Sequence, residues 1–167
     1  MSQTPGTISL HFGTVDLVHL VTTTLVPLER EAGEDDVSLS IDSSQASVSI
    51  VADPEKIAWT IATLVGNALR YVRHGAERSL GGSIVVRVRP DEASKTVSID
   101  IDDDGPGIPP ERLMSLFDRK PGADHAAGLA LHLVRDIIAA HGGTMNIESS
   151  IEQDSHGTTV HLTLPSV

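Results

Sequence analysis

Two hydrophobic periods take turns along this 167-residue chain, and their order leaves few folds open. After an opening SLHF, residues Val15, Val18, Val21, Leu25 and Leu28 recur at helical spacing within Val15–Glu31, where Pro27 is placed to kink the helix. VSLSID (Val37–Asp42) and SVSIVA (Ser47–Ala52) alternate with period two on either side of SSQA, which predicts a β-hairpin. Asp53 as N-cap and Pro54 at the first helical position then start a helix to about Val72, with Ile57, Ile61, Leu64 and Ala68 turned to a sheet. Beyond the turn-rich His74–Gly82 come two more strands, SIVVRVRP and TVSIDID, and a short helix near Pro110–Phe117. The aperiodic stretch Asp118–Ala127 reads as a lid, followed by a helix from about Leu129 to His141, stopped by Gly142, and by the strands TMNIES and TTVHLTL. The sum is an α/β chain: a two-layer sandwich with helices packed on one face of a mixed sheet. With no repeat, low-complexity tract or linker, residues 1–167 read as one domain with a lid at about 118–127.

Composition removes several functional classes. There are no cysteines, so disulfides, thiolate metal sites and thiol chemistry are excluded. The net charge of −11 argues against a nucleic-acid partner, which would need clustered Lys and Arg. No apolar run is long enough to span a bilayer, so the expectation is a cytoplasmic chain with no direct membrane contact. The eight histidines lack metal-ligand spacing.

Three segments carry the chemistry: NALRY (Asn67–Tyr71), DDGPGI (Asp103–Ile108) and GLALHLVRDIIAAHGG (Gly128–Gly143). The amide oxygen of Asn67 suits a hard Mg²⁺ ion, and Trp59 and Thr63 share its helix face. In Asp102–Asp104 the middle acid is followed by Gly105 and Gly107, which let backbone approach a flat ring beside a carboxylate. Gly128 opens a helix, where free N–H groups and the dipole favour phosphate.

In this order the segments resemble the catalytic, ATP-binding domain of sensor histidine kinases, in the GHKL ATPase superfamily with its Bergerat-type fold. Asp53–Tyr71 resembles the family's N box, Asp102–Asp118 its G1 and F boxes, Gly128–Gly143 its G2 box, and GTTVHLTLP (Gly157–Pro165) its closing strand. The resemblance implies Mg²⁺ and ATP as cofactors, with Asn67 as the Mg²⁺ ligand, Arg70 reaching phosphates and Tyr71 beside the purine. It makes Asp103 the adenine reader, sets Gly105, Gly107 and Ile108 around the base, and puts Phe117 at the lid hinge. Gly128 and Leu129 would lie at the phosphates, and Thr158 would support the adenine.

The chain departs from the pattern at two places. Thr63 stands where relatives carry Asn, or a Glu that activates water, so no catalytic base is identified and independent hydrolysis should be slow. Ala126 and Ala130 replace two glycines of Gly-x-Gly-Leu-Gly-Leu, and their methyls are expected to crowd phosphate or a left-handed backbone. No histidine is followed by Glu, as the family's acceptor motif would require; the resemblance implies a phosphoacceptor on a separate helical domain, in cis or in trans, with a response regulator downstream. The alternative is a non-catalytic module that keeps the fold and binds nucleotide or a partner.

Overall fold

In a computed structural model, which describes residues 7–73, 82–117 and 125–167, the elements alternate much as the periods do. They run β1 (Gly13–Asp16), α1 (Leu17–Glu34), β2 (Val37–Ser43), β3 (Ser49–Ala52), α2 (Pro54–Arg73), β4 (Gly82–Asp91), β5 (Thr96–Asp103), α3 (Pro110–Ser115), α4 (His125–Ala140), β6 (Thr144–Ser150) and β7 (Gly157–Pro165). A five-stranded sheet in the order β2-β4-β5-β7-β6 carries the helices on one face. It is mixed, because β2 lies parallel to β4 while every other pair is antiparallel.

The alternation of each strand explains both faces. Ile84, Val86 and Val88 of β4, Val97, Ile99 and Ile101 of β5, and Leu162 and Leu164 of β7 are buried beneath the helices. From above, Ile57, Ile61, Leu64 and Ala68 of α2 and Val134 and Ile138 of α4 close the core, each large side chain contributing about 1.5–3 kcal/mol through burial. The opposite face is polar: Arg87 pairs with Asp102 at 3.1 Å, Arg89 with Asp42 at 2.5 Å, and His161 sits between Asp100 at 2.8 Å and Glu148 at 3.5 Å. Burial alone would lower the pKa of His161, but the hydrogen bond and charge of Asp100, with those of Glu148, outweigh it and hold the value above the ordinary range.

The structure corrects the hairpin expected from Val37–Ala52. β2 joins β4 and β3 pairs instead with β1, from Gly13↔Ala52 to Asp16↔Ser49. Asp16 ties the β1–β3 pair together across the chain. Its carboxylate accepts from Ser47 Oγ at 2.8 Å while capping α1 through the amides of Val18 and His19, and Leu17 N–H donates to Val48 O at 2.8 Å. The SSQA turn therefore leads β3 away from β2. α1 begins at Leu17 rather than Val15, and Pro27 lies inside it.

A second correction concerns α4, which starts at His125 rather than near Leu129. Alanine is the best helix former, and Ala126 and Ala127 extend the helix by a turn into the stretch read as a lid. The remainder of that lid, 118–124 with Arg119 and Lys120, and most of the turn-rich segment, 74–81, lie outside the described residues.

At the far end of the sheet one buried knot ties the helices together. Asp53 accepts the amide of Lys56 at 3.1 Å as the cap of α2, and that of His11 at 2.8 Å. Its own amide donates to His141 Nε2 at 3.0 Å, and His141 Nδ1–H donates to Ile137 O at 2.7 Å. The start of α2 and the end of α4 are thus fixed relative to each other, which sets the mouth they form at their other ends.

Candidate functional site

Between α2 and the ends of β5, β7 and β6 opens a cleft of about 410 Å³, part of it continuous with solvent. Its floor follows from strand register. The inward rows of β5, β7 and β6 are apolar except at the cleft end of the sheet, where each turns polar, and pairing sets those positions side by side as Asp103, Thr158 and Ser149. The next row, Ile101, Val160 and Ile147, gives an apolar floor. α2 supplies Leu64, Asn67, Ala68 and Tyr71 as one wall, and Ile108, Leu116 and Leu131 close the remainder. Such a slot is apolar, with few polar groups to orient an occupant.

The three consecutive acids have three separate tasks. Asp102 faces the other side of the sheet, bound by Arg87 and by Thr159 Oγ1 at 2.7 Å. Asp104 accepts the amide of Ser83 at 2.7 Å. Asp103 alone points into the cleft, 7% exposed, with Oδ1 accepting the Gly105 amide at 2.9 Å. Burial pushes its pKa up to about 6, the neighbouring charges of Asp102 and Asp104 add to the rise, and the amides of Gly105 and Thr158 oppose it.

The loop after Asp103 must be glycine-rich for space. Gly107 has φ of +79°, and a Cβ there would overlap the carbonyl oxygen of Ser150. A Cβ on Gly105 would stand 2.8 Å from Asp103 Oδ1. His156 fastens the same loop, donating from Nδ1 to Gly105 O at 2.6 Å, and Ser149 Oγ accepts the Ile108 amide at 2.7 Å.

Asn67, Tyr71, Asp103, Ile108 and Thr158 are thus brought together in the cleft wall, with Gly105 and Gly107 in the loop above it. Arg70 lies on the exposed side of α2 and donates from Nη2 to Asn67 Oδ1 at 2.9 Å. Phe117 does not line the cleft. It meets His132 edge-on with ring centroids 5.9 Å apart and lies under the Arg135 guanidinium at 4.7 Å, anchoring the chain at the border of the lid. Gly128 is the fourth residue of α4, so the helix's free N–H groups precede it. Leu129 is half-exposed, and Leu131 is the α4 residue that reaches the cleft. Thr63 is half-buried and absent from the cleft wall.

Sequence reasoning missed Ser149, His156 and Leu131. Ser149 left a trace, since Met145, Ile147 and Ser149 share one side of β6 and only the last is polar. Its neighbours across the sheet depend on register, which the sequence does not spell out. Nothing in the sequence marks His156.

Ala126 and Ala130 also read differently once placed. Both lie within α4, where the backbone is right-handed and alanine is at ease. The left-handed conformation that their methyls would oppose is not adopted there.

Residues 52–167 match the family model described as histidine kinase-, DNA gyrase B- and HSP90-like ATPase. The adaptive-response sensory kinase SasA of Crocosphaera subtropica is 33% identical over 137 residues, covering 79% of this chain and 33% of that protein. The chain spans about a third of the length of the sensor kinases it matches first. Among solved structures, the catalytic domain of histidine kinase ThkA superposes with a TM-score of 0.80 at 21% identity, covering 94% of this chain and 99% of that one. The same kinase in complex with the response regulator protein TrrA gives 0.76 at 20% identity, covering 93% of this chain and 42% of that one. No helix among the described residues is long and apolar enough to cross a membrane. With a match to well over half its length, the chain belongs to the histidine kinase-, DNA gyrase B- and HSP90-like ATPase family.

Proposed function

We propose that this chain is the ATP-binding part of a histidine kinase, holding Mg·ATP and presenting its γ-phosphate to a histidine on a helical phosphoacceptor domain. The observation that carries the reading is the cleft itself: an apolar slot with Asp103 at its base and Asn67 on its wall. A carboxylate oxygen at the end of an apolar slot accepts a hydrogen bond from an exocyclic amine, which fits adenine. The flat faces of the base are matched by Ile101, Ile108, Ile147 and Val160.

Asn67 fits the magnesium task because its Oδ1 is a neutral oxygen donor beside the slot, and Mg²⁺ bound to phosphates keeps most of its other ligands as water. Mg²⁺ supplies charge neutralisation at the phosphates. Arg70 would leave Oδ1 and become available to a phosphate oxygen. Phosphoryl transfer is mostly positioning and charge stabilisation, and the only carboxylate among the described cleft residues is Asp103. That favours transfer to a histidine over hydrolysis, since Asp103 is engaged at the base end and Thr63 is no base. The response regulator would act downstream of that histidine.

Alanines 126 and 130 support the binding-only module less than their sequence suggests, because helical backbone accommodates them. The test is titration with a non-hydrolysable ATP analogue with and without Mg²⁺, by calorimetry and by the emission of the sole tryptophan, Trp59, on α2. Saturable, magnesium-dependent binding is expected. Transfer of labelled phosphate to an added helical hairpin bearing the acceptor histidine then separates a kinase part from a binding module. No heat and no fluorescence change at millimolar analogue would refute the reading.

A further inference from the structure

We propose that Ser149 is a positioning residue for base selectivity, because it fixes the Thr158 hydroxyl as a hydrogen-bond acceptor towards the cleft. The inference rests on the adenine-nucleotide reading above and adds a residue to it. Ser149 Oγ has three partners: the Ile108 amide at 2.7 Å, the Gly157 carbonyl oxygen at 2.9 Å and Thr158 Oγ1 at 2.7 Å. A serine hydroxyl has one proton and two lone pairs. The amide can only donate and the carbonyl can only accept, so the serine proton goes to Gly157 O and one lone pair receives Ile108 N–H. All three contacts are hydrogen bonds only if Thr158 gives its own proton to the remaining lone pair.

The consequence falls on the cleft. Thr158 is 8% exposed and lines the slot beside Asp103, its direct partner across the sheet. With its proton turned to Ser149, it shows the occupant lone pairs alone. Asp103 likewise shows carboxylate oxygen, since Oδ1 already receives the Gly105 amide. The base end is therefore an edge of acceptors. It favours a base that brings an amine and disfavours one that brings a carbonyl oxygen to the same place. Discrimination rests on two groups, and Ser149 holds the second in its state without touching the ligand.

The test is calorimetric titration of the folded chain with ADP and IDP, which differ in an amine against a carbonyl oxygen at one ring carbon and in the proton that only IDP carries on the adjacent ring nitrogen. The wild-type chain is expected to prefer ADP. Ser149→Ala frees the Thr158 proton to turn into the cleft, so the ADP-to-IDP preference should narrow about fivefold, the size of one ordinary net hydrogen bond. In a Thr158→Val background the same substitution should leave the preference unchanged, because no hydroxyl remains to be released. Ser149→Cys, a weak donor and acceptor of similar size, should narrow the preference less and covers the case in which the alanine variant does not fold. A role confined to holding the loop would weaken both nucleotides alike. Unchanged preference in the folded serine variants, or equal narrowing with and without Thr158, would overturn the proposal. A wild-type chain that binds neither nucleotide would instead overturn the nucleotide reading, and the assignment of Ser149 with it.

Discussion

Replacing Asp103 by Asn should stabilise the chain at neutral pH while disabling its cleft. The carboxyl is buried, and its pKa rises from 3.8 to about 6, first through desolvation and then through the charges of Asp102 and Asp104. A rise of about two units at about 1.4 kcal/mol each makes keeping this group ionised in the folded state cost ~3 kcal/mol. The sign follows from proton binding. Between the unfolded and folded values the native state holds more protons, so stability is greatest below about 4, declines as pH rises through about 6, and levels off above it. An amide cannot ionise and removes that term. It also brings N–H groups near the Gly105 and Thr158 amides, and their mutual repulsion reduces the gain to about 1–2 kcal/mol at pH 7.5. For a chain of this length that is a melting point higher by roughly 3–6 °C.

Urea unfolding of both chains at pH 7.5, 6 and 4.5 measures the effect. The difference between them isolates Asp103, because His161, Asp16 and Asp53 are common to both. The variant's advantage should shrink as pH falls and vanish near 4.5. ADP affinity at pH 7.5 should fall about 10- to 100-fold, the loss of a hydrogen bond to a charged group. A variant less stable than the parent at pH 7.5, or an advantage that does not depend on pH, would show that the carboxylate is not held at a cost, and the electrostatic argument would fail.

Asn67→Ala should remove the dependence of nucleotide affinity on Mg²⁺; a variant titrating with the same magnesium requirement would free Asn67 of that role. Gly107→Ala should cost at least ~1–2 kcal/mol for its positive φ, with more from overlap at Ser150 O, and should be read by thermal melting. His161→Gln should matter only at lower pH: the raised His161 contributes stability that is complete below about 6.5 and lost as pH rises through its folded value. The gap in urea midpoint between variant and parent should therefore close between pH 6 and 8.5. Glycine at both 126 and 130 should not tighten ATP binding but weaken α4, by about 1 kcal/mol per site, measured as a lower melting temperature; tighter binding would restore the view that the methyls obstruct phosphate.

The fold was legible wherever a pattern needed only its own segment. Asp53-Pro54 marked the start of α2, and Ile57, Ile61, Leu64 and Ala68 marked its buried side, because capping and helical period are local. The pairing of β2 and β3 was not local. Both runs alternate cleanly, and alternation says which side chains share a face but not which strand lies alongside. The choice was made by Asp16, which binds Ser47 across 31 residues of sequence. The start of α4 is hidden for the opposite reason: alanines stand where the family pattern has glycines, and their helical preference carries the helix back to His125.

The same distinction runs through the cleft. Asp103 is conspicuous because Gly105 and Gly107 advertise a backbone that must come close, and Asn67 is conspicuous from its neighbours. Ser149 advertises nothing, yet it shares a row with Asp103 and Thr158. What joins the three is that β5 and β6 place a polar residue at their last inward position and β7 at its first, and antiparallel register brings those ends level. A core that is apolar through Ile101, Val160 and Ile147 thus becomes a polar edge within one row. On the proposed adenine reading, such a boundary would fix the depth to which a flat base enters, since going deeper would carry its polar edge past its partners into aliphatic surroundings. Adding a methylene to the row below should therefore lift the base off Asp103 as surely as removing the carboxylate. Val160→Ile, conservative by composition, should then weaken ADP binding more than it changes the melting temperature.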